Sequence, residues 1–274
     1  MFQPGRRPQN AFSSALQIAE LIYHSMVRDV RRGHNNAFIA LGINLLQILV
    51  FVAIFYVMFS LLGLRGSAIR GDFLLYVMSG IFLYMTHVKT VAIVGGSEGP
   101  TSAMMKHAPM NTIISTLAAG FGSLYMQTLS LIIILYGYHI IVKPVEIDRP
   151  IAAYGMLLVA WFTGFAVGLI VKTLKPWFPT ATGVFSNVYQ RANMIASGKM
   201  FVANSLPGFM LAMFDWNPLF HCIDQARGFT FINYNPHYSS ISYPIYVGST
   251  LMILGMMGEF YTRRRISTSW EARR

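Results

Sequence analysis

AFIALGINLLQILVFVAIFYVMFSLL, residues 37–62, contains no Asp, Glu, Lys or Arg. The run is continuous rather than alternating with period two, so it predicts a helix and not a strand of a membrane barrel. At about 1.5 Å of rise per residue, such a helix crosses the roughly 30 Å hydrocarbon layer of a bilayer. Further apolar runs of comparable length stand at 73–94, 112–141, 151–171, 181–202 and 243–261. The expected fold class is an all-α polytopic membrane protein with six transmembrane helices, a single transmembrane domain over residues 1–274.

Composition points the same way. A mean hydropathy of +0.50, with 54% hydrophobic and 11% charged residues, is too apolar for an ordinary soluble domain of this length. The formal charge of +11 would suggest nucleic acid in a soluble chain. Here the basic residues sit in short loops that orient helices, and no nucleic-acid partner is expected. Cys222 is the only cysteine, so no intrachain disulfide forms.

Outside the spans, residues 12–30 place Phe12, Leu16, Ala19, Ile22, Tyr23, Met26 and Val30 on one helical face. Ser13, Gln17, Glu20, His24 and Arg28 take the other. This predicts an N-terminal amphipathic interface helix on a membrane surface, with packing against a partner protein as the alternative. Its retained charge distinguishes it from the h-region of a cleavable signal peptide. Six spans put both termini on one side. Arg28, Arg31, Arg32, Lys172, Lys175 and Arg263 to Arg265 mark that side as cytoplasmic.

Enzyme motifs of the metal and redox kinds are missing: there is no HExxH metal helix and no CxxC pair. GFAVGLIVKT, 164–173, has glycines spaced as GxxxG and reads as a helix-packing motif rather than a phosphate loop. The fifth span is unusually polar, with Asn187, Gln190, Arg191, Asn193 and Lys199. Arg191 falls about 15 Å along it, where an arginine either faces a water-filled path or a partner, or snorkels along its own stem. His87 and Glu259 lie towards span ends and are expected at the interface.

DWNPLFHCIDQARGFTF, 215–231, gathers charge near the end of the chain. Asn217 and Pro218 suit a helix start. Asp224 and Arg227, three apart, share a face and are expected to pair, with His221 on the same stripe. The preceding SLPGFMLAMF, 205–214, is broken by Pro207 and Gly208 and is too short to span. Residues 203–242 are therefore expected to form a periplasmic re-entrant helix pair before the last span, held by a structural ion pair. Use of His221 and Asp224 as an acid/base pair is the weaker reading, since no nucleophile or metal set accompanies them.

SGKMFVANSLP at 197–207, WNPLFHCIDQARGFTF at 216–231 and GMMGEFYTRRRI at 255–266 together resemble the membrane subunit of type-2 ABC exporters. Within that family the chain looks most like the permeases that export capsular polysaccharide. Ser197, Gly198, Phe201, Pro207, Asn217, Pro218, Leu219, His221, Asp224 and Arg227 occupy the places of the family pattern. Asp224 stands where glutamate is more usual, and Gly42 is followed by Ile-Asn-Leu instead of the Gly-Xaa-Leu-Trp common at the first span.

The resemblance implies a homodimer in the bacterial inner membrane that pairs with two copies of a separate cytoplasmic ABC ATPase. It also implies a channel for lipid-linked polysaccharide, with periplasmic and outer-membrane export components as further partners. ATP would be bound by the partner subunit, leaving this chain without cofactor, metal or catalytic residues. The loop 95–111 corresponds to the cytoplasmic coupling loop, with Ser102, Met104, Met105, Lys106, His107 and Pro109 as its contacts to the ATPase. The arm at 12–30 would gate the cytoplasmic mouth.

A polysaccharide needs a lining that offers aromatic faces and polar tips. Tyr189, Arg191, Asn193, Lys199, Phe201, Phe209, Phe214 and Trp216 are the channel residues expected on that ground. Alternatives are an O-antigen or teichoic-acid exporter of the same architecture, a glycolipid-modifying membrane enzyme, and an ATP-independent channel.

Overall fold

The computed structural model describes residues 11–32, 36–61, 63, 69, 71–99 and 112–271, and among these the regular structure is helical. Helices α1 (Ala11–Arg32), α2 (Ala37–Leu61), α3 (Phe73–Gly95), α4 (Thr112–Ile141) and α5 (Pro150–Leu174) are followed by α6 (Pro179–Ala196) and α7 (Gly208–Leu211). Helices α8 (Pro218–Thr230) and α9 (Ser242–Glu271) complete the order. By length and composition α2, α3, α4 and α5 can cross a membrane. The expected fifth and sixth spans correspond to α6 and α9, which are not in that set. The expected coupling residues Ser102, Met104, Met105, Lys106, His107 and Pro109 lie outside the described residues.

Local chemistry fixes several helix ends. Asp72 caps α3 by accepting from the Leu74 amide at 3.0 Å. The same carboxylate accepts from the Tyr138 hydroxyl and lies 3.2 Å from Lys143 Nζ, tying the start of α3 to the end of α4. Pro150, Pro179 and Pro218 open α5, α6 and α8, where a missing amide hydrogen costs nothing. One boundary differs from expectation: α6 stops at Ala196 and not near residue 202. Gly198 takes φ +75, in the left-handed region, and the chain turns there.

Helices α3 and α5 form the centre. α3 is buried nearly all round, with Leu75, Val77, Ile81, Leu83 and Val91 in its core faces. The GxxxG pair of α5 lies against it: a Cβ on Gly164 would come within 2.7 Å of the His87 carbonyl oxygen, and one on Gly168 within 3.0 Å of the Val91 oxygen. α9 packs on the other side of α5 through Gly248, Gly255 and Gly258, which meet Phe162, Leu169 and Thr173. α8 closes against α3 and α5, and α1 packs along α4. The outer face of α2 is exposed, with Phe38, Leu46, Ile54 and Leu61 turned outward.

Candidate functional site

The turn after α6 and the helix α8 form one joint. Asn217, at the N-cap of α8, accepts from the Leu219 amide at 3.0 Å. Its amide group donates to Asn193 Oδ1 at 3.0 Å and to the Ala196 carbonyl at 2.9 Å, so the start of α8 is bound to the end of α6. Gly198 sits where a Cβ would be 2.7 Å from the Phe220 ring. Phe220 packs with Ala203 and Phe214 beneath that turn.

Arg227, 1% exposed, supplies the clamp. Nη1 donates to the carbonyls of Gly198 at 2.8 Å and Phe201 at 2.6 Å, and Nη2 to that of Lys199 at 2.6 Å. Its guanidinium stacks 4.2 Å from the centre of the Tyr76 ring. The expected pairing with Asp224 is replaced by this arrangement. Asp224 accepts instead from the Tyr234 hydroxyl and from Ser239 Oγ, the latter at 2.6 Å, tying the descending loop to α8. Shared helical face brought the two charges to one side. A planar fork of donors facing three turn carbonyls, and two hydroxyls facing one carboxylate, then separated their partners. Burial, with the Asp224 charge beside it, raises the Tyr234 phenol above its ordinary value.

His221 is engaged at both ring nitrogens. Its Nε2–H donates to the Asp215 carbonyl at 2.6 Å, and Nδ1 accepts from the Ser240 amide at 3.0 Å. Burial holds its imidazole below its ordinary pKa. With both nitrogens bonded to backbone and the ring 4.5 Å from that of Tyr243, it ties the two ends of the segment together.

The expected channel residues divide into two groups. Arg191, Phe209 and Trp216 are exposed, and Tyr189 is partly so. Asn193, Lys199 and Phe214 are buried in the fold, with Phe201 partly covered beside them. Lys199, 3% exposed, has no hydrogen-bond partner for Nζ among the described residues. The ammonium lies 3.4 Å from the centre of Tyr84, 5.0 Å from Phe55 and 5.5 Å from Phe51, an aromatic cage made by α2 and α3. Lys199→Met should raise stability by about 1 kcal/mol, because desolvating an ammonium without hydrogen bonds costs more than the cage returns. Thermal unfolding in nanodiscs measures this, and a midpoint below that of the unchanged chain would refute it.

Two further polar groups have no counterpart in the sequence-based site. His87, expected at an interface, is fully buried. Its Nδ1 lies 3.0 Å from the Ala160 carbonyl and 3.1 Å from Thr163 Oγ1, and its Nε2 2.8 Å from the Tyr189 hydroxyl, linking α3, α5 and α6. Lys89 donates to Asn44 Oδ1 and, at 2.6 Å, to Gln47 Oε1, while Asn44 donates to Ser130 Oγ at 2.6 Å. Asn44, Gln47 and Lys89 interrupt apolar runs, and that interruption was a usable signal for a polar network between spans.

On α6, Thr182 and Asn193 are the buried residues, and Asn187 and Arg191 face outward beside Val184, Val188 and Ile195. Among the described residues no cluster of His, Cys, Asp and Glu could hold a metal ion. No protein-family model matches the chain, and no curated protein is significantly similar to it.

Proposed function

We propose that the chain is the membrane permease subunit of an ATP-driven exporter that moves lipid-linked capsular polysaccharide across the bacterial inner membrane. In this reading it has six spans, α2 to α6 and α9, works as a homodimer and takes its energy from a separate cytoplasmic ABC ATPase. The observation that carries the proposal is the outward face of α6. A helix that exposes Asn187 and Arg191 is costly against lipid and suits a water-filled path shared with a second copy. Exposed Phe209 and Trp216 in the following segment add aromatic faces on which sugar rings stack. The joint built by Asn217 and Arg227 supports a rigid re-entrant segment beside that path.

The test is ATP turnover by the chain co-reconstituted in nanodiscs with its ATPase, with and without lipid-linked glycan. Turnover is expected to rise with glycan. Arg191→Glu should cut glycan-stimulated turnover by about ten-fold, roughly the loss of one charge-assisted contact. Because Arg191 is exposed, its thermal midpoint should stay within about 2 °C of the unchanged chain. Turnover indifferent to glycan, or an Arg191→Glu variant with full stimulation, defeats the proposal. Parallel arms with O-antigen and teichoic-acid chains identify the glycan class.

A further inference from the structure

Lys89 puts a positive charge within the apolar length of α3 with no carboxylate to answer it. Among the described residues carboxylates reach Lys143 and Lys172 but neither Lys89 nor Lys199. Asn44 and Gln47 fall about 10 and 15 Å along α2 from Ala37, and Lys89 about 9 Å back from Gly95 along α3. Its ammonium is held at that depth by Asn44 Oδ1 and, at 2.6 Å, by Gln47 Oε1, so it does not run along its stem to the membrane surface. Asn44 is itself fixed, accepting from Gln127 Nε2 at 3.2 Å and donating to Ser130 Oγ at 2.6 Å. Between Gly80 and Val91, Lys89 is the residue that α3 does not bury, and Gln47 beside it is exposed.

An ammonium only donates, so both amide oxygens face it, and the N–H groups of Gln47 remain for another acceptor. Phe51 and Phe55 lie about one and two turns beyond Gln47 on the same stripe of α2, and the Lys199 ammonium rests against their rings. Two cations without carboxylates therefore stand along one groove between α2 and α3. A charge at that depth needs a partner or a wet path. We infer that Lys89 and Gln47 form an anion-binding site for the glycolipid that the proposed exporter moves, taking a carboxylate on a sugar or a phosphate next to the lipid. The Lys89 ammonium supplies charge and one N–H, and the Gln47 amide a second N–H, to the oxygens of a single anion. An ordinary phospholipid head would have to sink about 10 Å into hydrocarbon to arrive, whereas a substrate in a water-filled path passes the site. The inference rests on the exporter reading and adds to it the charge of the substrate.

The test measures binding to the full-length chain in phosphatidylcholine nanodiscs. Its probes are an oligosaccharide of glucuronic acid joined through phosphate to a lipid, the carboxyl-reduced counterpart in which each sugar is glucose, and the lipid phosphate without sugar. Lys89→Gln should weaken binding about ten-fold, roughly the loss of one charge-assisted contact. A fall confined to the glucuronic acid probe assigns the anion to the sugar, and a fall shared by all three assigns it to the phosphate. Gln47→Glu gives Lys89 a carboxylate of its own. At this exposed position it should leave the thermal midpoint at or above that of the unchanged chain while weakening the same probes about ten-fold. A lysine that served packing alone would leave binding intact in that variant. If Lys89→Gln fails to fold, Gln47→Glu decides. No binding of any probe, or binding indifferent to both substitutions, overturns the site, and glycan-stimulated ATP turnover that persists in that case leaves the exporter reading standing. Binding that depends on Lys89 without any glycan-stimulated turnover counts against the exporter reading alone.

Discussion

Replacing Arg227 with lysine is expected to remove a large part of the fold's stability although the charge is kept. The guanidinium donates to the carbonyls of Gly198, Lys199 and Phe201 and stacks on Tyr76. A lysine ammonium is a single point on a flexible stem, so it cannot reach all three carbonyls as the planar fork does or stack on the ring. At about 1–3 kcal/mol for each buried group left unsatisfied, two lost carbonyl contacts give a deficit of roughly 2–6 kcal/mol. For a domain of this size that corresponds to a fall of about 10 °C in the midpoint of thermal unfolding in nanodiscs. Arg227→Met, which adds no charge without partners, should fall by less than Arg227→Lys, since the ammonium would be buried as well as poorly bonded. A lysine variant within about 2 °C of the unchanged chain would mean that the turn holds itself and the clamp is incidental.

The features that hydropathy controls are legible in the sequence. The apolar runs at 37–62, 73–94, 112–141 and 151–171 became helices of nearly those bounds, because burial of a continuous apolar surface leaves helix as the economical way to satisfy the backbone. Asn217 and Pro218 announced the start of α8 for a local reason, a side-chain acceptor followed by a residue with no amide hydrogen. The partner of Arg227 was not legible. Spacing fixes the face on which a side chain emerges, whereas backbone carbonyls 26 to 29 residues away carry no signature of residue type.

Lys199 shows the same limit from the other direction. A lysine in a polar span looked like a channel residue, but Gly198 ends α6 before it and turns the side chain into a cage contributed by Phe51, Phe55 and Tyr84. The Ser-Gly dipeptide at 197–198 was the available warning, since a glycine after a helical run is a common place for that helix to stop. Arg191 and Trp216, by contrast, are exposed.

Gly164→Ala is expected to cost about 3 kcal/mol, at the upper end for overpacking by one methyl group. The obstruction is backbone: the new carbon would lie 2.7 Å from the His87 carbonyl oxygen and 3.1 Å from its Cα, and neither can rotate away as a side-chain tip would. Relief requires α3 and α5 to separate. That motion lengthens the contacts of His87 with Ala160, Thr163 and Tyr189, so the loss spreads from α3 to α6. Gly155, in the same helix, provides the control, because nothing lies within 4 Å of its Cβ position. Gly155→Ala should gain up to about 1 kcal/mol from helix propensity alone. The two variants make the same chemical change in one helix, so their difference in thermal midpoint isolates the close approach of α3 from any effect of propensity. Equal shifts in the two variants would show that α3 and α5 have room for a side chain between them.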